Sequence, residues 1–206
     1  MSTELRSQSV QSFLDQLASA SPTPGGGSVA ALSGALAAGL ISMVCQLTVG
    51  RPRYAAFEAE AQSILSQTEA IRARMTDLIQ IDIDAYTTVA AAYKLPKDDS
   101  SRAAAIVAAM VIATDVPLQI AEQAAALLPL ALPVAQHGNR TAVGDVVAGA
   151  QLAVACVHAA LINVDANVGM LVDHPRLAEF LARQNAARAG IEAQRDAIVA
   201  VAVNRL

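Results

Sequence analysis

The chain has 206 residues, the length of a single domain. Fourteen Lys and Arg against eighteen Asp and Glu leave a net charge of -4, and six aromatic residues are too few for base stacking, so a nucleic-acid reader is excluded. Apolar residues at 54% and charged ones at 16% exclude intrinsic disorder, and 46 alanines point to closely packed helices rather than strands.

Periodicity predicts helices throughout. Thr3–Ala20 is amphipathic through Leu5, Val10, Phe13, Leu14 and Leu17, and it lacks the apolar run of a signal peptide. Pro22, Pro24 and the triplet Gly25–Gly27 then break the chain, and Ser28 reads as the N-cap of an apolar helix to Thr48. After the turn Gly50–Arg53, a long helix extends from about Tyr54 to Lys94. Asp99 or Ser100 caps the next, which should kink at Pro117 and end or bend at Pro129 and Pro133. Another helix runs from Thr141 towards Val172, and Asp173-His174-Pro175 opens the last. The expectation is one domain over residues 1–206: an all-α bundle of about six helices, some long and kinked.

Two stretches raise the question of a membrane. No charge occurs between Asp15 and Arg51, and Val146–Val164 is interrupted only by His158. Both are rich in Ala, Gly and Ser rather than the Leu, Ile and Phe of spanning helices, so enclosure by other helices of a cytoplasmic protein is the expectation. The two cysteines, Cys45 and Cys156, sit in these runs as small hydrophobes of a reducing compartment.

Chemistry can sit in few places. Gly25-Gly26-Gly27 ahead of a helix lets backbone approach a ligand and offers free N–H groups, although neither a P-loop nor a dinucleotide fingerprint surrounds it. Asp82 and Asp84 lie among isoleucines deep in the long helix, where burial would raise a carboxylate pKa towards use as a base. Two apart, they point in different directions, Asp82 with Tyr86 and Asp84 with Thr88. Asn139 and Asp145 fall at a turn and a helix start, while Asn163 and Asn167 are one turn apart on an apolar helix. His137, His158 and His174 lack metal-ligand spacing, so no catalytic metal is expected.

The order of these segments is similar to one known family. Ser21-Pro-Thr-Pro-Gly-Gly-Gly-Ser28 with Ser42-Met-Val-Cys-Gln-Leu-Thr-Val-Gly50 resembles the start of the cyclodeaminase/cyclohydrolase family. The likeness continues through Asp82 to Tyr86, Leu95-Pro96-Lys97, Thr114 to Leu118, Gly138-Asn139 with Asp145, and Asn163-Val164 with Asn167. The family comprises the C-terminal domain of formiminotransferase-cyclodeaminase and stand-alone bacterial methenyltetrahydrofolate cyclohydrolases. The chain departs from it at Arg51-Pro52-Arg53, where lysines are usual, and at Thr141–Gly144, where two polar side chains are missing.

The resemblance implies an all-helical homodimer, joined through apolar helices, with a folate cleft beside the glycine loop. With no formiminotransferase domain alongside, the cyclohydrolase branch is the nearer one. It hydrolyses the methenyl bridge of methenyltetrahydrofolate to formyltetrahydrofolate without cofactor; cyclodeamination of formiminotetrahydrofolate and non-catalytic folate binding are the alternatives. For an amidinium substrate the base is expected at Asp84, with Asp82 or Asp145 next. Gly25, Gly26, Gly27, Ser28, Tyr54, Asn139, Asn163 and Asn167 are the expected folate contacts, and Arg53 and Lys94 partners for the glutamate tail.

Overall fold

The computed structural model describes residues 8–205. They form eight α-helices and no strand: α1 Val10–Leu17, α2 Gly26–Thr48, α3 Glu58–Lys94, α4 Arg102–Ala125, α5 Leu127–His137, α6 Val143–Val168, α7 Leu177–Arg188 and α8 Ile191–Val203. The all-α expectation holds, and the six expected helices become eight because two of them are divided. The break at Ala126 lies three residues before Pro129, whose ring cannot follow a preceding helical turn and whose missing N–H is harmless only in a first turn. The other falls at Gly190, which turns the chain with φ +69, a conformation open to glycine.

Two local expectations are corrected. The first helix starts at Val10, because the Ser9 hydroxyl accepts a hydrogen bond from Ser12 N–H at 3.1 Å and caps it there; the part of Thr3–Ala20 before Gln8 lies outside the described residues. Helix α2 starts at Gly26 with Gly25 as its cap, so Ser28 is in the first turn and its hydroxyl is free for another helix. Pro117 lies inside α4, which continues past it to Ala125.

Helices α2 and α6 form the centre. Helix α2 packs on α3, α4, α5 and α6, and α6 in turn carries α4, α5, α7 and α8. The partners of α2 pair in reverse order, Ser28 with Asp82 and Ser42 with Thr68 on α3, so α3 runs antiparallel to it. Alanines 30, 31, 37 and 38 of α2 and 150, 153 and 160 of α6 are fully buried between the helices. Small side chains bring the axes close, and a Cβ on Gly149 would lie 3.1 Å from the Ala37 carbonyl. Burial pushes the thiol of Cys45 up to about 11 and that of Cys156 to about 12, consistent with inert core residues.

By length and hydropathy three segments are apolar enough to cross a membrane, Gly26–Thr48, Arg102–His137 and Arg140–Leu171. In the fold these segments are only about half buried, 56%, 39% and 50% in chain order. An apolar strip remains open on α2, where Leu36 is 53% exposed and Met43 and Leu47 follow it two and three turns on. Across the opposite side α7 is clamped to α4 by Arg183, which donates to Glu122 at 2.7 and 2.8 Å and to Asp115 at 2.6 Å.

Close alanine packing gives a direct test. Ala31→Leu should destabilise the fold by about 1–3 kcal/mol, because the added atoms have no space between α2 and its neighbours; urea unfolding measures it.

Candidate active site

A cleft of about 260 Å³ opens where the start of α2, the middle of α3, the middle of α4 and the end of α6 meet. Asp82, Ala85, Tyr86 and Val89 line it from α3, at spacings of three, four and seven that put them on one helical face. Met110, Ala113 and Pro117 face them from α4, and Asn163 and Asn167 from α6.

Asp82 is the only carboxylate in that wall. Its Oδ2 accepts from the Ser28 hydroxyl at 2.8 Å, and the carboxylate also takes the Ser28 backbone N–H. Helix α2 has no acidic residue in its own first turn, so Asp82 supplies the negative charge that its N-terminus favours. This contact requires Gly27: a Cβ there would lie 2.6 Å from Asp82 Cγ and closer still to Oδ1. Burial pushes the Asp82 pKa above its ordinary value, and the two hydrogen bonds from Ser28 only partly oppose it. The neighbours that act on this carboxylate include no cation.

The asparagines are fixed by carbonyl groups. Asn163 Nδ2 donates to the Ala159 carbonyl at 2.8 Å, and Asn167 Nδ2 donates to the Ala113 carbonyl of α4 at 2.8 Å. Gly26 lies against Asn163, its Cβ position 3.8 Å from Nδ2. The glycine loop, Asp82, Asn163 and Asn167 therefore converge on one place.

Other expected residues do not. Asp84 is exposed on the outer face of α3, accepting from Gln80 Nε2 at 3.0 Å, because two residues of helix rotate it away from Asp82. Asn139 donates to Leu47 O at 3.0 Å and its N–H to Thr48 Oγ1 at 2.9 Å, at the far end of α2. With 23 residues, α2 separates it from the glycine loop by about 35 Å. Tyr54 joins that distant group, its hydroxyl accepting from Arg140 N–H at 3.1 Å, and the Arg53 guanidinium lies 5.9 Å over the Tyr54 ring. Asp145 is in the first turn of α6, about 27 Å along that helix from Asn163. Lys94 is exposed in the last turn of α3. One rigid helix thus divides the expected cleft into two groups. Among the described residues no cluster of three or more His, Cys, Asp or Glu is arranged to hold a metal.

The family model described as formiminotransferase-cyclodeaminase matches residues 9–186, which include both groups. The chain belongs to that family. Over 170 residues it is 40% identical to the methenyltetrahydrofolate cyclohydrolase of Methylorubrum extorquens, covering 81% of this chain and 82% of that protein. The formimidoyltransferase-cyclodeaminase of Rattus norvegicus is 32% identical over 169 residues, and the chain spans 31% of its length. The crystal structure of formiminotetrahydrofolate cyclodeaminase from Thermotoga maritima superposes with a TM-score of 0.89 at 26% identity, over 98% of each chain.

The α4 side of the cleft carries no polar signal in the sequence. Met110, Ala113 and Pro117 are apolar at helical spacing and look like ordinary core, whereas Tyr86 shares the expected face of Asp82.

Two alanine substitutions in the loop should separate. Gly27→Ala forces the Asp82 carboxylate off Ser28 and should cost about 1–3 kcal/mol. Gly26→Ala meets nothing closer than 3.8 Å and should be neutral or stabilising, as alanine is the better helix former. Thermal unfolding of both variants checks the contrast.

Proposed function

We propose that this protein hydrolyses methenyltetrahydrofolate to formyltetrahydrofolate, with Asp82 as the base. One observation carries the chemistry: a half-buried carboxylate, with no cationic partner, facing a cleft. The substrate's bridge is an amidinium, a delocalised cation between two nitrogens, and supplies the missing positive charge. The similarity to a cyclohydrolase over four-fifths of both chains supports this substrate.

The reaction consumes one water and releases one proton. Water adds to the bridging carbon while Asp82 accepts its proton, neutralising the amidinium as a tetrahedral adduct. The adduct collapses by breaking one C–N bond: the protonated Asp82 gives its proton to the departing nitrogen, and the hydroxyl proton leaves through the regenerated carboxylate to solvent as the formyl C=O forms. A carboxylic acid is a competent donor here because burial has raised its pKa. The glycine loop and the amides of Asn163 and Asn167 hold the pterin. At about 260 Å³ the cleft is small for a whole folate. A second open hollow of about 450 Å³, lined by Val107 of α4 and by Gly169–Pro175 in the turn after α6, takes the aminobenzoyl-glutamate portion. Neither Arg53 nor Lys94 lines the cleft or the hollow within this chain.

Asp82→Asn should lower turnover of methenyltetrahydrofolate by about a hundredfold or more, followed by loss of its absorbance. Asp84→Asn should leave turnover near wild type; the opposite pattern would return the role to Asp84. The proton linkage has a definite sign. A carboxylate with a raised folded pKa contributes stability that is full below its unfolded pKa and is lost as pH rises through the folded one. At neutral pH the charged form costs stability, so Asp82→Asn should hold or raise the thermal midpoint. The acid limb of kcat/KM in the wild type should lie above the ordinary carboxylate range. Turnover should persist in chelator, without added metal or cofactor.

Cyclodeamination is the second reading, favoured by the match to the Thermotoga maritima enzyme. It would use the same cleft on formiminotetrahydrofolate with release of ammonia, and assaying both substrates side by side decides. Binding without turnover of either would leave a non-catalytic folate protein.

Assembly belongs to the same proposal. The strip of Ala35, Leu36, Gly39, Leu40 and Met43 straddles the middle of α2, between the two groups of residues at its ends. A second copy covers it as a homodimer. A twofold axis near Gly39 brings Arg53 and Asn139 of one copy towards the Asp82 cleft of the other. Light scattering at micromolar concentration should find a dimer, and an active monomer would refute it. Mixed, dissociated and reassociated Asp82→Asn and Arg53→Ala chains should regain activity at one intact site per heterodimer.

A further inference from the structure

We propose that Pro117 is a positioning residue, which fixes the Asn167 carboxamide with its oxygen available to the ligand by leaving the Ala113 carbonyl open. The inference rests on the folate reading for the identity of the ligand, but its geometry stands independently.

In an α-helix the carbonyl of residue 113 accepts from the N–H of residue 117. Proline has no N–H, so the Ala113 carbonyl lacks its own helical partner. A buried or half-buried carbonyl needs a donor. Asn167 provides it from α6, with Nδ2 at 2.8 Å. Helix α4 continues through Pro117 to Ala125, so the vacant position is filled by this side chain and not by a break in the helix.

The consequence is an orientation. A carbonyl can be met only by the amide nitrogen, because the flipped amide would set oxygen against oxygen. The nitrogen of Asn167 is therefore held on α4, and its oxygen, which no hydrogen bond from the described residues engages, is left at the cleft that Asn167 lines. Asn163 is oriented in the same sense, its nitrogen on the Ala159 carbonyl. With the Asp82 carboxylate, the wall presents three acceptor groups to a ligand. A pterin, whose ring amine and ring nitrogens carry N–H groups, is a matching donor surface. Pro117 and Ala113 line the same cleft, so the device is at the point of use and not at a distance.

Pro117→Ala restores an N–H to α4 that competes with Asn167 for the Ala113 carbonyl. The variant should raise KM for methenyltetrahydrofolate about three- to tenfold, the loss of one oriented hydrogen bond, with kcat changed less than twofold and the thermal midpoint equal or higher. In an Asn167→Ala background the same substitution should add nothing, since both remove one contact. Pro133→Ala, a proline inside α5 that does not line the cleft, should leave KM unchanged. A separate readout needs no substrate: the Asn167 side-chain amide protons, observed by NMR in 15N-labelled protein, should exchange slowly in the wild type and faster in Pro117→Ala. An unchanged KM, effects that multiply in the double variant, or unaltered amide exchange would each overturn the role. Wild-type protein that turns over neither folate would instead refute the functional reading, while the amide exchange would still decide the orientation.

Discussion

The structure turns on the seating of one carboxylate at the start of one helix. Asp82 of α3 reaches the first turn of α2, takes the hydroxyl and N–H of Ser28, and gives that N-terminus the negative charge its own sequence lacks. Only a residue without a Cβ can stand at position 27 beneath it. The same contact holds α2 against α3 and leaves a carboxylate, raised in pKa by burial, at the wall of the cleft. Packing and chemistry therefore share an interaction, and the glycine loop is explained by a side chain of the protein before any ligand is considered.

The central helices are built from small residues because they are enclosed on most sides. Alanine, glycine and buried serine or threonine let α2, α3 and α6 approach closely, and the few polar groups are paired across them, as Ser42 is with Thr68 at 2.8 Å. Rigidity follows from this packing. It is a useful property for a site whose polar groups come from three helices, because no loop has to order before they are in place. It also keeps the group around Asn139, Tyr54 and Arg140 at a fixed distance from Asp82, about the length of α2.

Carbonyl groups that helices leave open do much of the orienting. Asn167 meets the carbonyl opposite Pro117, and Asn139 meets those at the C-terminus of α2, where the last residues of any helix lack donors. In both cases the amide nitrogen meets the carbonyl; the Asn139 oxygen is taken in turn by the N–H and hydroxyl of Thr141, whereas that of Asn167 is left at the cleft. The polarity presented to solvent or ligand is then set by backbone geometry, and not by the asparagine alone.

The helical class and most helix positions were legible in the residues, because alanine content, apolar periodicity and proline or glycine breaks are local properties. Family membership was legible too, since Pro24–Ser28, Asp82–Tyr86 and Asn163–Asn167 keep their order along the chain. Asp84 could be set apart from Asp82 by helical rotation, but which of the two faced inward depended on the partners of α3, and only packing decides that. Likewise, that the carbonyl opposite Pro117 meets Asn167 could be seen only with the helix carrying Asn167 in place beside it. The distance between the glycine loop and Asn139 was hidden for the same reason. Motifs adjacent in order give no account of the rigid helix between them, and that separation exists only once α2, α3 and α6 are packed.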